Sequence, residues 1–138
     1  MLNFLIISMF FNTLKINISG WKESSRCVGI AIYDEEGFKK DIPNYYSTYK
    51  CYEDRKSANI VIEVPSPPQE GKYVIAIFQD LNGNKKLDKN TFGIPVEPYV
   101  FSGKIKSKWK KPIFNEVSFN FKKPMEPLHL KLKNWEEY

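Results

Sequence analysis

Side chains that carry oxygen occupy alternate positions in one polar stretch near the middle of the chain. They are Asp80, Asn82, Asn84 and Asp88, and the backbone carbonyl of Lys86 takes the place between the last two. A chain that bends around a hard cation such as Ca²⁺ presents alternate residues to it, and helix–loop–helix calcium loops use positions one, three, five, seven and nine. The spacing therefore predicts a calcium site, with the Glu97 carboxylate as a further ligand.

Two positions in this stretch differ from that calcium loop. Lys85 stands at position six, where the loop has a glycine for its sharp turn, and Thr91 replaces the bidentate glutamate of position twelve. Neighbouring lysines also oppose a cation, so we expect a weak site with a dissociation constant of ~10⁻⁴–10⁻³ M. A metal-free turn, in which the same polar side chains cap their own backbone, is the alternative interpretation.

A second candidate site is a cluster of cationic residues around a tryptophan. It consists of Lys104, Lys106, Lys108, Trp109, Lys110 and Lys111. Such a loop can bind an anionic polymer, a glycan or a lipid headgroup, with the indole stacking on a planar group. The pattern is more typical of a solvated edge whose lysines prevent pairing with another sheet. The net charge of +5 over 138 residues does not by itself imply a nucleic-acid partner.

Motifs of catalysis are missing from the sequence. There is no Gly-x-Ser-x-Gly, no His-Glu-x-x-His and no glycine loop long enough to cradle phosphate. The single histidine, His129, lies on a lysine-flanked strand and faces opposite Leu128 and Leu130, so it is expected to be exposed and inert. We predict that the protein is not an enzyme, and a hydrolase with an unrecognised site is the remaining alternative.

Apolar residues alternate with polar ones along several short segments, which is the pattern of half-buried strands. These are residues 14–18, 28–33, 60–64, 73–78, 96–101, 117–121 and 128–132, while residues 34–37 read as a charged turn. Residues 38–57 have no clear period and are expected to hold an irregular edge strand or a short helical turn. Residues 73–78 are almost continuously apolar and should lie in the middle of a sheet. We expect an all-β fold over residues 13–138, a single antiparallel β-sandwich of about seven strands.

The two cysteines, Cys27 and Cys51, fit either a disulfide or two buried thiols. A metal site there is not expected, because neither belongs to a Cys-x-x-Cys pair. Residues 1–12 are apolar and uncharged, and too short to cross a bilayer, so no transmembrane span is expected. They have the length of a signal-peptide apolar region but lack its basic start and its cleavage site, so a shortened signal and a first structural segment both remain open.

The middle of the chain resembles the bacterial domain-of-unknown-function family 2141. The family pattern is glycine-x-tyrosine, an apolar strand, Asp-x-Asn-x-Asn, Leu-Asp, Gly-Ile-Pro, an aromatic-Phe-Ser and a later Pro-x-Phe. The matching segments are residues 70–84, 87–90 and 93–95, then Glu97, Tyr99, Phe101-Ser102 and Pro112-Ile113-Phe114. The likeness covers residues 13–132 and is specific over residues 71–114. Gln79 stands where a histidine is common, Lys85 replaces a glycine, and residues 98–100 replace a glycine-containing turn.

The resemblance implies a small exported protein with an Ig-like or prealbumin-like fold and no assigned activity. It implies a periplasmic, cell-envelope or secreted location. The partner is unknown; an envelope protein or a glycan is compatible with that location, and a nucleic acid is not expected. Taken with the residues, it favours a non-catalytic structural or binding module with a weak calcium loop, or with the loop 104–111 holding a polyanion or glycan.

Overall fold

The structure, a computed structural model, describes residues 13–23, 25–54 and 56–138. These ranges hold eight strands, two short α-helices and a 3-10 helix. In chain order they are β1 (Thr13–Ser19), β2 (Cys27–Tyr33), α1 (Glu35–Lys40), β3 (Tyr46–Cys51), β4 (Ile60–Pro65), β5 (Gly71–Asp80), β6 (Tyr99–Phe101), α2 (Phe114–Val117), β7 (Phe119–Phe121), β8 (Leu128–Lys131) and the 3-10 helix (Trp135–Glu137). The predictions about residues 1–12 lie outside the described residues.

The strands form two sheets, which confirms the prediction of an all-β protein with mainly antiparallel pairing. One sheet has the order β4-β1-β8, and the other has the order β3-β2-β5-β6 with β7 pairing to β5. One pair departs from the expected antiparallel arrangement, because β1 and β8 run parallel. Parallel neighbours need a long connection, and here most of the chain lies between these two strands.

Two local predictions were wrong. Residues 34–37 begin helix α1, where the Asp34 carboxylate accepts a hydrogen bond from the Gly37 amide at 2.8 Å and caps the helix. Val117 ends helix α2 and does not begin the following strand. The prediction for residues 38–57 is confirmed, because this region contains the end of the short helix α1 and the edge strand β3.

Apolar and polar residues alternate along the strands, and the apolar side chains of both sheets pack together in one core. The buried cluster takes Ile16 from β1, Ile62 from β4, Ile30 from β2 and Ile75 from β5, among others. Strand β5 is buried on both sides, because Val74 packs against Phe114 and Val117 on the opposite face. Residues 73–78 therefore lie in the middle of a sheet, as their continuous apolar run predicts.

The outer face of the larger sheet has unusually small side chains at its centre. Gly29 and Ala31 of β2 lie opposite Phe78 and Ala76 of β5. A Cβ atom at Gly29 would come within 2.1 Å of the Phe78 ring, so the ring lies directly over the glycine. This arrangement leaves a shallow depression along Ala31 and Ala76 that nearby loops can cover.

Two further observations bear on the predictions about cysteines and membranes. Cys27 and Cys51 face each other on β2 and β3, and their sulfur atoms are joined in a disulfide. Within residues 13–23, 25–54 and 56–138, the helices are all too short and too polar to span a bilayer.

Candidate functional site

The Asp80 carboxylate organises the loop that follows β5. Asp80 is 1% exposed. Its Oδ1 accepts a hydrogen bond from the Gly83 amide at 2.9 Å, and its Oδ2 accepts from the Lys85 amide at 2.8 Å and from the Tyr49 hydroxyl at 2.7 Å. One buried side chain thus closes the loop on itself and ties it to strand β3.

Burial and these bonds together shift the pKa values of both side chains. Burial raises the pKa of Asp80, but the donated hydrogen bonds outweigh it and hold the pKa below its ordinary value. Burial and the bond to the Asp80 carboxylate raise the pKa of Tyr49 to about 12. The pair is therefore a neutral phenol donating to a carboxylate, which is a strong charge-assisted hydrogen bond.

Lys85 makes the sharp turn that the sequence assigns to glycine. Its φ angle is 65°, in the left-handed region, where a residue with a Cβ atom is strained by roughly 1–2 kcal/mol. The Lys85 amide bond to Asp80 holds the turn, and the Lys85 Nζ lies 5.4 Å from the centre of the Tyr49 ring. The chain therefore makes this bend with a lysine at the position where the calcium-loop pattern has a glycine.

The Glu97 carboxylate turns toward the loop from the far end of the segment. Glu97 is 3% exposed, and its oxygens accept from the Leu81 amide at 2.7 Å and the Asp88 amide at 3.0 Å. Burial raises its pKa, and the charges of Asp88 and Asp80 add to this against the lowering effect of the two amides. Glu97 thus joins the first and last parts of the loop.

The two asparagines use their side chains within the loop. Asn82 Nδ2 and Asn84 Nδ2 donate to the Asp88 carboxylate at 2.6 and 2.7 Å. Asn82 Oδ1 accepts from the Asn84 amide, and Asn84 Oδ1 from the amide of Lys86, so both cap the backbone as in a metal-free turn. In the described part of the chain, no three histidine, cysteine, aspartate or glutamate side chains are grouped so as to hold a metal ion.

Gln79 has a structural role that was not predicted from the sequence. Its side chain is fully buried and donates from Nε2 to the carbonyls of Lys22 and Ser25 at 2.6 and 2.7 Å. Its Oε1 accepts from the Lys22 amide at 2.9 Å. In the sequence, a long polar side chain at the end of an apolar strand is the feature that could have indicated this role. The Gln79 side chain holds the turn before β2 against the end of β5.

A cleft of about 1120 Å³ lies over the outer face of the larger sheet. Its floor includes Ala31, Ala76, Phe78 and Phe101, and it continues the depression described above. One wall is formed by the segment after Asp80, through Leu87, Lys89 and residues 92–95, and the other by residues 108–112 of the lysine-rich loop. Phe38 of helix α1 also lines the cleft.

The predicted cationic cluster divides between the cleft and the solvent. Lys108, Trp109, Lys110 and Lys111 line the cleft, whereas the exposed Lys104 and Lys106 do not. Lys85 and Lys89 reach the cleft from the opposite loop, a contribution that the sequence did not reveal.

Trp135 is a further cleft residue that the sequence did not indicate. Its indole Nε1 donates to the Lys108 carbonyl at 3.2 Å, and the Lys108 Nζ lies 4.1 Å from the centre of its ring. The ring also meets Trp109 edge to face, with the centroids 4.8 Å apart. The C-terminal 3-10 helix thereby fixes the lysine-rich loop beside the cleft and leaves Trp109 74% exposed.

His129 lies away from both loops. It is exposed on β8 and pairs with Asn17 in the smaller sheet. The structure therefore brings the histidine to neither the Asp80 loop nor the cleft.

Comparisons with known proteins return one match. The model of a family described as "Uncharacterized protein conserved in bacteria (DUF2141)" matches residues 16–128. No curated protein matches the chain, and no solved structure matches it either. The match confirms the resemblance seen in the sequence.

Proposed function

The chain belongs to the bacterial DUF2141 family, and from this premise we propose that it is a non-catalytic binding module whose cleft holds an anionic ligand. The observation that carries the proposal is the charge of the cleft. Among the residues that the structure describes, five lysines line it, Lys85, Lys89, Lys108, Lys110 and Lys111, against the single carboxylate of Asp41. A concave surface with apolar walls focuses such a field and raises the local concentration of anions.

The fold suits such a role. We assign the two sheets and their shared core to the β-sandwich layout, of Ig-like or prealbumin-like type, in which ligand sites are added to a rigid scaffold by loops. A crystal structure with the strands of the two sheets within about 30° of each other would support this assignment, whereas a crossing near 90° would oppose it.

We expect substitution of cleft lysines to weaken binding to an anionic polymer. The variant Lys89→Ser/Lys110→Ser/Lys111→Ser should elute from immobilised heparin at roughly half the salt concentration of the unmodified protein, because each lysine removed eliminates a contact that salt screens. Salt-gradient chromatography at neutral pH measures this directly.

A matched control separates the cleft from general charge. The variant Lys122→Ser/Lys123→Ser/Lys131→Ser removes the same number of charges from exposed positions that do not line the cleft. It should elute close to the unmodified protein. If both variants eluted at equally lowered salt concentrations, retention would depend only on net charge, and the binding-module proposal would be rejected.

Calcium binding at the Asp80 loop is a second candidate function, supported by the orientation of Glu97. Three carboxylates, those of Asp80, Asp88 and Glu97, border one loop, and burial, with a smaller effect of the Asp88 and Asp80 charges, raises the pKa of Glu97. A cation would offset the mutual repulsion of these carboxylates. Asn82 and Asn84 would then exchange their bonds to Asp88 for bonds to the ion, and the Lys86 carbonyl would complete the set, with no chemistry beyond bracing the loop.

Thermal unfolding tests the calcium candidate. With a dissociation constant of ~1 mM, 10 mM calcium should stabilise the protein by about 1.4 kcal/mol and raise its Tm by about 4 °C over an EDTA sample. Asp88→Ala should abolish the increase, and Lys104→Ala is a control that should retain it. An unchanged Tm in 10 mM calcium would leave the metal-free turn as the correct interpretation.

We also propose that the protein is exported to the periplasm, the cell envelope or the medium. The support is the Cys27–Cys51 disulfide, since such bonds persist in oxidising compartments, together with the apolar residues 1–12. An envelope glycan or protein would then be the natural partner. Cell fractionation with thiol alkylation should find the oxidised protein outside the cytoplasm, and a reduced cytoplasmic pool would reject the proposal.

A further inference from the structure

We propose that the ligand of the cleft is an amphiphilic anion, a single-chain carboxylate whose hydrocarbon lies on the sheet and whose head group meets the lysines. This inference rests on the proposed anion-binding function and specifies its ligand class. The lysine-rich loop alone fits an acidic glycan equally well, whereas the whole cleft favours a ligand of the fatty-acid type.

The floor of the cleft offers hydrocarbon contacts over its length. Ala31 and Ala76 are neighbours across β2 and β5, with Phe78 and Phe101 on either side. Ala31 and Ala76 are only partly buried, so a ligand in the depression can contact their methyl groups. Each methylene fully buried on such a surface is worth about 0.8 kcal/mol, roughly a fourfold gain in affinity.

The cleft lacks three kinds of side chain that recognise sugars: no asparagine or glutamine, no arginine and no histidine lines it among the residues that the structure describes. The Tyr49 hydroxyl is already engaged, because it donates to the Asp80 carboxylate. Asp41, Ser47 and Thr48 also line the cleft, beside the apolar floor. A glycan brings many hydroxyls, which would lose water here for few partners, and this loss opposes binding. A hydrocarbon chain has no such requirement.

Apolar and cationic groups meet at the rim. Phe92 is 88% exposed on the wall formed by the segment after Asp80, and Trp109 is 74% exposed on the opposite wall. Lys89 lies on the same wall as Phe92, and Lys110 follows Trp109. Exposed apolar groups beside cations suit a ligand that has an alkyl body and a negative head.

Titration calorimetry with soluble alkyl anions below their micelle concentrations tests the inference. If the open cleft covers about half of each of the four added methylenes, dodecanoate should bind about 15-fold more tightly than octanoate. Dodecyltrimethylammonium, with the same chain and the opposite charge, should bind at least tenfold more weakly than dodecanoate. Trigalacturonate, an acidic sugar of similar reach, should bind more weakly than dodecanoate as well.

Variants at the floor and the rim assign the binding to the cleft. Ala76→Leu should weaken dodecanoate binding at least fivefold by filling the floor, and Ala31→Leu is a second floor variant should the first lower the Tm. Lys89→Ser/Lys110→Ser/Lys111→Ser should weaken it similarly. Lys122→Ser/Lys123→Ser/Lys131→Ser should leave it unchanged.

Two different failures can be told apart. Lysine-dependent binding of trigalacturonate, with no effect of alkyl chain length, would overturn the amphiphile while leaving the anion-binding function in place. If neither anion bound, or if the cleft lysines made no difference, both the ligand class and the proposed function would be overturned.

Discussion

The Asp80→Ala variant is expected to lose about 3 kcal/mol of its free energy of unfolding, because three hydrogen-bond donors lose their shared acceptor. Those donors are the amides of Gly83 and Lys85 and the hydroxyl of Tyr49. Lys85 then keeps a left-handed turn without the bond that holds it. Urea unfolding at neutral pH, followed by tryptophan fluorescence, measures the change.

Asp88→Ala is the appropriate control for this prediction. The Asp88 carboxylate also accepts two side-chain bonds in the loop, but its donors, the amides of Asn82 and Asn84, are exposed and can bond to water. We expect a loss below about 1 kcal/mol for Asp88→Ala. Equal losses in the two variants would contradict the central position of Asp80 in the loop.

Loss of the disulfide should have an effect of similar size. Cys27 and Cys51 are 24 residues apart, and releasing a loop of that length is worth about 3 kcal/mol in the chain-entropy account. The variant Cys27→Ala/Cys51→Ala should therefore unfold at lower urea concentration than the oxidised protein, because its unfolded state is less constrained.

The double variant loses two sulfur atoms as well as the bond, so the reduced unmodified protein, which loses only the bond, is the control. Dithiothreitol should lower the stability of the unmodified protein to near that of the double variant, and it should leave the variant itself unchanged. A double variant as stable as the oxidised protein would show that the bond adds nothing to the free energy of unfolding. A loss in the variant without a loss on reduction would point to packing and not to the bond.

Local pattern in the sequence predicts the strands well where burial determines the residue types. Strand β5 is recognisable because Val74 and Ile75 are buried on opposite faces, which leaves a continuous apolar run. The pairing of β1 with β8 is different. It joins two segments from opposite ends of the chain, and nothing in their alternation specifies that partner or its direction.

Helix α1 stands where the sequence pattern predicts a turn, although helix signals are also present there. Asp34 precedes Glu35 and Glu36, and lysines follow four residues later, so that Lys39 bonds Glu35 at 2.9 Å and Lys40 bonds Glu36 at 2.7 Å. A capping aspartate followed by such pairs favours a helix. The glycine at position 37 indicated a turn, and the charge pairs outweighed it.

The same holds for the candidate sites: features that depend on neighbouring residues could be predicted, and features that depend on residues far apart in the chain could not. The spacing of Asp80, Asn82 and Asn84 predicts a calcium site, with a metal-free capped turn as the alternative. In the structure the two asparagines cap the backbone, and Glu97 turns toward the loop. The cleft could not be predicted, because it requires a floor from β2 and β5 and walls from two separate loops. Trp135 reaches it only through the folding back of the C-terminus.

The most direct test of the claim that the cleft binds an anion is nuclear magnetic resonance. On titration with dodecanoate, the amides of Ala31, Ala76 and Lys110 and the indole of Trp109 should shift together and saturate at one ligand. The amides of Val61 and His129, on the smaller sheet, should stay unchanged. Shifts centred on Lys122, Lys123 or Lys131, or no saturable shift in the cleft at all, would contradict the account.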